Sequence, residues 1–303
     1  MLTRRLVYFL IGLCLSMGSK ANTLILVPAS PGSLPLLAAD SLLPETQVSV
    51  FINHSQAHAR FIHQADVLIL TGLSVGKRLY EQGVPIRILA SLVSGLTWWV
   101  GVDITIQRIQ QLKNQTIYVP FSDSPIEEVA RFLIEKQGLV YGKDVKVKYS
   151  PLPATAELLK QKKALIAALP EPFISQLADI PYLYIGNSFD SLWNKATGAT
   201  QGYPQLCLFA LSRWTETHPD EIAALLNMAN QQIQSIQHDT LAGLRMLQSN
   251  KFPIPFPHAS EILGRVQFQL LTGQALKTHI ETYYQTLGIP LEKAFQDFFY
   301  IHP

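Results

Sequence analysis

Short apolar runs alternate with helical patterns along this sequence, and the alternation limits its possible folds more than any other feature. The runs NTLILVPA, TQVSVFIN, DVLIL and PIRILASLV are typical of strands. HSQAHARFIHQ and SVGKRLYEQG lie between them and have the spacing of helices. Strands that alternate with helices form a largely parallel sheet covered by helices. The sequence therefore predicts an α/β fold.

The alternation starts again after the segment WWVGV. TIYVP, DVKVKYSP, KALIAALP and PYLYIG predict further strands, and SPIEEVARFLIEKQG and ATAELLKQ predict helices. The apolar run QLCLFALS follows, and only helices are predicted from HPDEIAALL to the C-terminus. This restart predicts a second α/β lobe over about residues 100–205, with the chain crossing between the lobes at WWVGV and LCLFALS.

The first 21 residues have the pattern of an export signal. Arg4 and Arg5 precede the apolar run LVYFLIGLCL, and Ser19 and Ala21 are small residues where a signal peptidase cleaves. Ten helical residues span about 15 Å, which is half of the ~30 Å membrane core. We therefore expect a signal peptide cleaved after Ala21, with lipidation at Cys14 as the alternative.

The composition excludes one class of partner and one kind of stabilisation. With 24 basic and 22 acidic residues the net charge is +2, so the broad basic surface of a nucleic-acid binder is absent. Cys207 is the only cysteine after the predicted cleavage point, so the mature chain can form no intramolecular disulfide. The mature protein must be stabilised by its apolar core.

Four segments in a fixed order carry a family resemblance: SPGSLPLLAAD, ADVLILTGLSVGKRLYEQGVPIRILASL, LKNQTIYVPFSDSPIEEVARFLIEKQGLVYGKDVKVKYSP and IAALPEPF. In this order the chain resembles the periplasmic solute-binding proteins of nitrate, sulfonate and taurine type ABC importers, over nearly its whole mature length. The resemblance implies a two-lobed clamp of type II with two hinge crossings. Lobe 1 would contain residues 22–98 and 207–303, and lobe 2 residues 99–206.

The same resemblance implies a function. We expect a periplasmic, monomeric protein that captures a small polar organic molecule or an anion in the cleft between its lobes. Its partners would be an inner-membrane permease and ATPase. Two alternatives remain open, namely a periplasmic subunit that senses a ligand for a membrane receptor, and an enzyme on the same fold.

Small polar residues follow each of the first three predicted strands. The carboxyl ends of parallel strands are where open α/β sheets bind ligands, and the next helix points unpaired N–H groups there. Ordinary helix capping is the alternative explanation for such residues. The candidate ligand-binding residues of lobe 1 are Ser30, Ser33, Asn53, His54, Thr71, Gly72 and Ser74.

In lobe 2 the segment FSDSPIEE combines a helix start with possible ligand contacts. Ser124 and Glu127 have the spacing of a capping box, so they are assigned to the helix. Phe121, Ser122 and Asp123 lie just upstream and are candidates for the cleft.

Two further candidates come from a stiff turn and from the first crossing. Glu171 stands between two prolines at a strand end, where the resemblance places a polar or acidic residue near the ligand. Trp98 and Trp99 begin the crossing, so one ring can stack on a flat ligand while the other packs in a lobe. For both tryptophans, core packing is the alternative.

Metal, cofactor and enzyme interpretations are less favoured. On one helix His54 and His58 share a face, but His63 lies on the opposite side, so no metal site is predicted and no cofactor is expected. The sequence lacks an H-E-x-x-H zinc motif and a Walker loop. Helix N-termini favour an anionic ligand, whereas Asp123 and Glu171 would favour an amine if they face the cleft.

Overall fold

A computed structural model describes residues 23–249, 252, 257–289, 291 and 293–301. The predicted export signal and its cleavage point lie outside these residues. The strands are β1 (Thr23–Pro28), β2 (Thr46–Phe51), β3 (Val67–Gly72), β4 (Ile86–Gly95), β5 (Thr97–Val102), β6 (Thr116–Val119), β7 (Lys146–Tyr149), β8 (Ile166–Pro170), β9 (Leu183–Ser188), β10 (Leu206–Leu211) and β11 (Gln267–Thr272).

Helices surround these strands. The α-helices are α1 (Ala39–Leu42), α2 (His54–His63), α3 (Leu73–Glu81), α4 (Pro125–Lys136), α5 (Leu152–Lys160), α6 (Phe189–Thr197), α7 (Ser212–Thr217), α8 (Pro219–His238), α9 (Thr240–Leu247), α10 (Ala259–Arg265) and α11 (Gly273–Thr286). Short 3-10 helices cover Pro31–Leu36, Ile109–Leu112, Ser175–Leu177 and Lys293–Phe298. Within the described ranges, no helix combines the length and the apolar character needed to cross a membrane.

The strands form two mixed sheets. The six-stranded sheet has the order β11-β4-β10-β3-β1-β2, in which β1, β2 and β3 are parallel and β10 is antiparallel to both β3 and β4. The five-stranded sheet has the order β7-β6-β8-β5-β9, in which β6 is parallel to β7 and β8 and β5 is antiparallel to β8 and β9. The predicted two-lobed α/β architecture is confirmed.

The topology brings together the ends of the two sheets at which the predicted binding residues lie. β4 leaves the six-stranded sheet at its carboxyl end and, after the single residue Leu96, becomes β5. The amino end of β5 lies beside the carboxyl ends of β8 and β9, because β5 is antiparallel to both. The strand ends that carry the predicted binding residues therefore lie on either side of this crossing.

One prediction for the C-terminal part is wrong. The sequence after His218 was expected to be helical throughout, but QFQLLT forms β11, an edge strand antiparallel to β4. Phe268 is its one buried residue, and the others are partly or fully exposed, as is usual at the edge of a sheet. Its pairing with β4 over a long sequence separation supplies the order that the local sequence does not.

The core links the two sheets on one face and keeps them separate on the other. One apolar cluster joins Ile69 of β3 to Trp99 of β5 and Ile117 of β6. A second cluster belongs to the six-stranded sheet and its helices, and a third to the five-stranded sheet. Burial of apolar side chains in these clusters is the main stabilising contribution. Cys207 lies in the first cluster as a free thiol, and burial raises its pKa to about 12.

Helix α4 shows how local sequence fixes an element at the interlobe edge. Ser124 accepts a hydrogen bond from the backbone N–H of Glu127 at 3.2 Å, and Pro125 occupies the first helical position. The Glu127 carboxylate accepts from the N–H of Asp123 rather than from that of Ser124. The predicted N-cap is confirmed, and the reciprocal bond reaches one residue further upstream.

Candidate ligand-binding cleft between the two sheets

Three of the candidate side chains on the six-stranded sheet bond to the nearby backbone. Ser30 accepts from the N–H of Gly32 at 3.3 Å, and Asn53 accepts from the N–H of Gln56 at 3.1 Å. The buried Ser33 hydroxyl donates to the carbonyl of Pro28 at 2.7 Å. These residues shape the turns after β1 and β2, as the capping alternative describes.

The turn after β3 is different, because polar groups there remain available. Helix α3 starts after Gly72 with no side chain capping it, so its first N–H groups lack a local side-chain acceptor. The side chain of Ser74 is buried, and its hydroxyl oxygen has no hydrogen-bond partner among the described residues. A buried polar group without a partner is unfavourable, and a ligand that accepts hydrogen bonds would satisfy these groups.

The side chain of Thr71 contacts a histidine of α2. Its hydroxyl oxygen lies 3.2 Å from Nε2 of His58. Burial, followed by the charge of His54, lowers the pKa of His58 to about 4, so this ring is neutral at pH 7. His54 packs edge-on against Phe51, with 5.1 Å between the ring centroids, and its pKa is also lowered by burial. The histidines therefore contribute neutral polar surface beside the β3 turn.

Metal binding by these histidines has no geometric support. Across the part of the chain that the structure describes, no group of three or more His, Cys, Asp or Glu side chains is positioned to hold a metal ion.

The turn after β6 lies directly opposite the turn after β3. A Cβ atom placed on Gly72 would lie 2.9 Å from Cγ of Pro125, so this close approach requires glycine. From α3, Arg78 donates to the carbonyls of Ser122 at 3.2 Å and Asp123 at 3.1 Å. The structure thus brings two predicted groups together, Thr71 to Ser74 on one side and the Phe121 to Asp123 turn on the other.

Glu171 is buried, and its carboxylate is already paired. Its Oε1 accepts from Nη1 of Arg265 at 2.9 Å and from the hydroxyl of Ser175 at 3.0 Å. Its backbone N–H donates to the carbonyl of Leu96 at the first crossing. Arg265 comes from α10, more than ninety residues away, and no local sequence signal marks it as the partner.

The two tryptophans of the first crossing point to opposite faces of β5. Trp99 is fully buried and packs against Phe189 with 4.9 Å between the ring centroids. Trp98 is partly exposed and packs against the two clusters that belong to separate sheets. This alternation follows from the period of two in a strand, and it leaves Trp98 as the ring that a ligand can reach.

A polar cavity of about 290 Å³ lies beside the crossings, and sequence reasoning did not find it. The residues around it come from β4, α6, β11 and the segment before β10, so no sequence motif joins them. One Asp190 oxygen is buried there without a hydrogen-bond partner, and burial raises the pKa of this carboxyl. Its polar lining includes Ser94, Asp190, Asn194, Gln201, Gln267 and Gln269.

Solved structures with the same fold cover nearly the whole chain. The periplasmic aliphatic sulphonate binding protein SsuA from Escherichia coli is 12% identical, with 93% of this chain and 92% of that chain covered and a TM-score of 0.72. The fold is that of a periplasmic binding protein. No family model and no curated protein matches the sequence.

Two other solved structures agree with this assignment of the fold. The ligand binding component of an ABC-type import system from Staphylococcus aureus, with zinc bound, is 11% identical, covers 93% and 97% of the two chains and has a TM-score of 0.70. The periplasmic nitrate-binding protein NrtA from Synechocystis PCC 6803 is 14% identical, covers 88% and 81%, and has a TM-score of 0.66. The resemblance to sulfonate and nitrate binding proteins is thereby confirmed in the fold.

Proposed function

We propose that this protein is the solute-binding component of an ABC importer and captures a small polar solute between its two sheets. The proposal rests on one observation. The carboxyl ends of strands from the two sheets face each other beside the crossings. The uncapped start of α3 and the unpartnered Ser74 hydroxyl lie at one of them. A clamp needs this arrangement, because only a ligand that contacts both lobes favours the closed form over the open one.

In this proposal the lobes are residues 22–98 with 207–303, and residues 99–206. The hinge consists of Leu96 between β4 and β5 and of residues 198–205 before β10. Buried bonds join these two connections, since Gln205 accepts from the N–H of Leu96 at 3.1 Å and donates to the Thr97 hydroxyl at 2.7 Å.

The ligand would contact Thr71 and Ser74 from lobe 1, Ser122 and Asp123 from lobe 2, and the Trp98 ring beside the crossing. The partners are a membrane permease and its ATPase, and the protein works as a periplasmic monomer without enzymatic activity. Export requires removal of the first 21 residues, so protein from the periplasm should begin at Asn22 in mass spectrometry.

The test is a thermal-shift screen of small metabolites on the purified mature chain, followed by calorimetric titration of each compound that binds. A ligand at a hundred times its Kd stabilises the folded state by about 2.7 kcal/mol, which raises the melting temperature measurably. Small-angle scattering with the bound compound should show a smaller radius of gyration.

Ser74→Ala should weaken binding, whereas Ser41→Ala, at an exposed serine of α1, should not. Tight binding with no compaction would exclude the clamp. A compound turned over into product would show an enzyme, and binding without any transport defect in a deletion strain would favour the sensor.

A further inference from the structure

The cavity beside the crossings is built from both sides of the molecule. Ser94 and Gln267 belong to strands of the six-stranded sheet, Asp190 and Asn194 to α6 of the other lobe, and Gln201 to the second connection. A group bound there would contact both lobes and the hinge at once. At about 290 Å³ it lies at the small end of ligand-binding pockets.

Asp190 is the charged group of this cavity. Its Oδ1 is buried without a hydrogen-bond partner, although the carboxyl also interacts with the Ser188 side chain and the backbone N–H of Ser191. Within the described residues Asp190 takes part in no ion pair. A Cβ atom on Gly95 would lie 2.7 Å from this carboxyl, so the glycine leaves the space that Asp190 occupies. Burial of a carboxylate without a cation is unfavourable, and a bound cation would remove that penalty.

The other polar groups of the lining are neutral. Among the described residues around the cavity there is no Lys, Arg or His. Asn194 already accepts from the N–H of Gly202 at 2.9 Å, and Ser94 donates to the carbonyl of Gln267. The amide side chains of Gln201 and Gln269 can accept or donate hydrogen bonds. One carboxylate among neutral amides matches a group that carries a positive charge and several N–H donors.

We propose that this cavity binds the ammonium group of a small polar amine, with Asp190 as its counter-ion. The inference rests on the proposed solute-binding function and narrows its ligand to the amine class. It also assigns the charge recognition to Asp190 rather than to Glu171, because Arg265 already neutralises Glu171. Asp123 is an unsuitable alternative, since its side chain is 64% exposed and faces Arg78.

The experiment measures binding of putrescine, ethanolamine and propylamine to the mature chain by calorimetry, beside propanesulfonate and nitrate as anions. Asp190→Asn keeps the shape of the side chain and removes its charge. Asp220→Asn is the matched control, because Asp220 is exposed and stands in the first turn of α8 as Asp190 stands in the first turn of α6. We expect at least one amine to bind, Asp190→Asn to weaken it tenfold or more, and Asp220→Asn to change its Kd less than twofold.

The outcomes separate this inference from the proposed function. If an amine binds with equal affinity to wild type and Asp190→Asn, the cavity is not its site, although solute binding stands. If only the anions bind, or if none of the amines binds, the ligand class is overturned. The proposed function fails separately, when the broad metabolite screen finds no ligand of any class. A melting-temperature check on both variants excludes misfolding as the cause of lost binding.

Discussion

Two of the contact regions that join the lobes are built from opposite kinds of interaction. In the first, the aromatic seam, Tyr283 of α11 packs against Trp193 of α6 with 5.2 Å between the ring centroids, and Tyr203 packs against both rings. The Tyr283 hydroxyl donates to Oε2 of Glu128 at 3.0 Å. Burial raises the pKa of Glu128 to about 8, so this carboxyl is mainly protonated at pH 7.

The second region, the ionic seam, relies on charges. Arg265 of α10 pairs with the buried Glu171 at 2.9 Å and with Glu261 at the same distance. Next to it, Nε2 of His258 lies 3.0 Å from a carboxylate oxygen of Asp179. These contacts also join elements of the two lobes.

The two seams would respond differently if the proposed clamp opens. Apolar contact is non-directional and depends on buried area, so the aromatic seam tolerates small shifts. Charge-assisted hydrogen bonds depend on geometry, and a buried charge that loses its partner is strongly destabilising. Opening would therefore meet its sharpest resistance at the ionic seam.

The largest effect is expected from breaking the ionic seam on one side only. Arg265→Met leaves the Glu171 carboxylate buried without its cation, which should lower the free energy of unfolding by about 3 to 5 kcal/mol. Urea denaturation measures this loss. The double variant Glu171→Gln with Arg265→Met should recover much of it, because no unpaired charge remains. Equal stability of the single and double variants would contradict this account.

The aromatic seam should make the free energy of unfolding depend on pH. The folded-state pKa of Glu128 lies above its ordinary value of 4.5, so the folded protein binds the extra proton and loses stability as pH rises towards about 8. At about 1.4 kcal/mol for each pKa unit, the loss is about 4 kcal/mol between about pH 5 and about pH 8. Glu128→Gln should abolish this part of the pH dependence in thermal unfolding.

The control for that experiment is Glu135→Gln, at an exposed position of the same helix. It should keep the wild-type pH profile. If Glu128→Gln follows the wild-type profile as well, Glu128 titrates in its ordinary range and the seam does not bury it.

A smaller effect is expected from the hydroxyl of Tyr283. Tyr283→Phe removes the donor to Glu128 and should destabilise the protein by about 1 to 2 kcal/mol in chemical denaturation. Tyr284→Phe is the matched control, since that hydroxyl is buried without a hydrogen-bond partner in the described structure and its removal should be neutral or stabilising. A double-mutant cycle of Tyr283→Phe with Glu128→Gln should show coupling between the two residues.

The smallest effect is expected where α3 meets the turn after β6. Arg78→Ala removes two bonds to backbone carbonyls near the surface and should lower stability by less than about 1 kcal/mol. Thermal unfolding at low and high salt checks this, with Arg78→Lys as the conservative variant. A loss as large as that of Arg265→Met would mean that this contact, too, holds the lobes together.

Sequence alone determined the features that depend on neighbouring residues. The alternation of strands and helices predicted two α/β lobes, and the cap at Ser124 with Pro125 predicted the start of α4. Both patterns work because caps, turns and side-chain periodicity act within a few residues along the chain. The period of two along a strand also explains why the side chains of Trp98 and Trp99 face opposite sides of β5.

The tertiary structure decided which side chains meet across the lobes. The pairing of Glu171 with Arg265 and the lining of the cavity around Asp190 bring together residues from separate elements, and β11 becomes a strand only through its pairing with β4. A local pattern contains no information about such partners, because the fold brings them together over long separations along the chain. Sequence thus determined which elements form, and packing between the lobes decided which of the predicted polar groups are already paired.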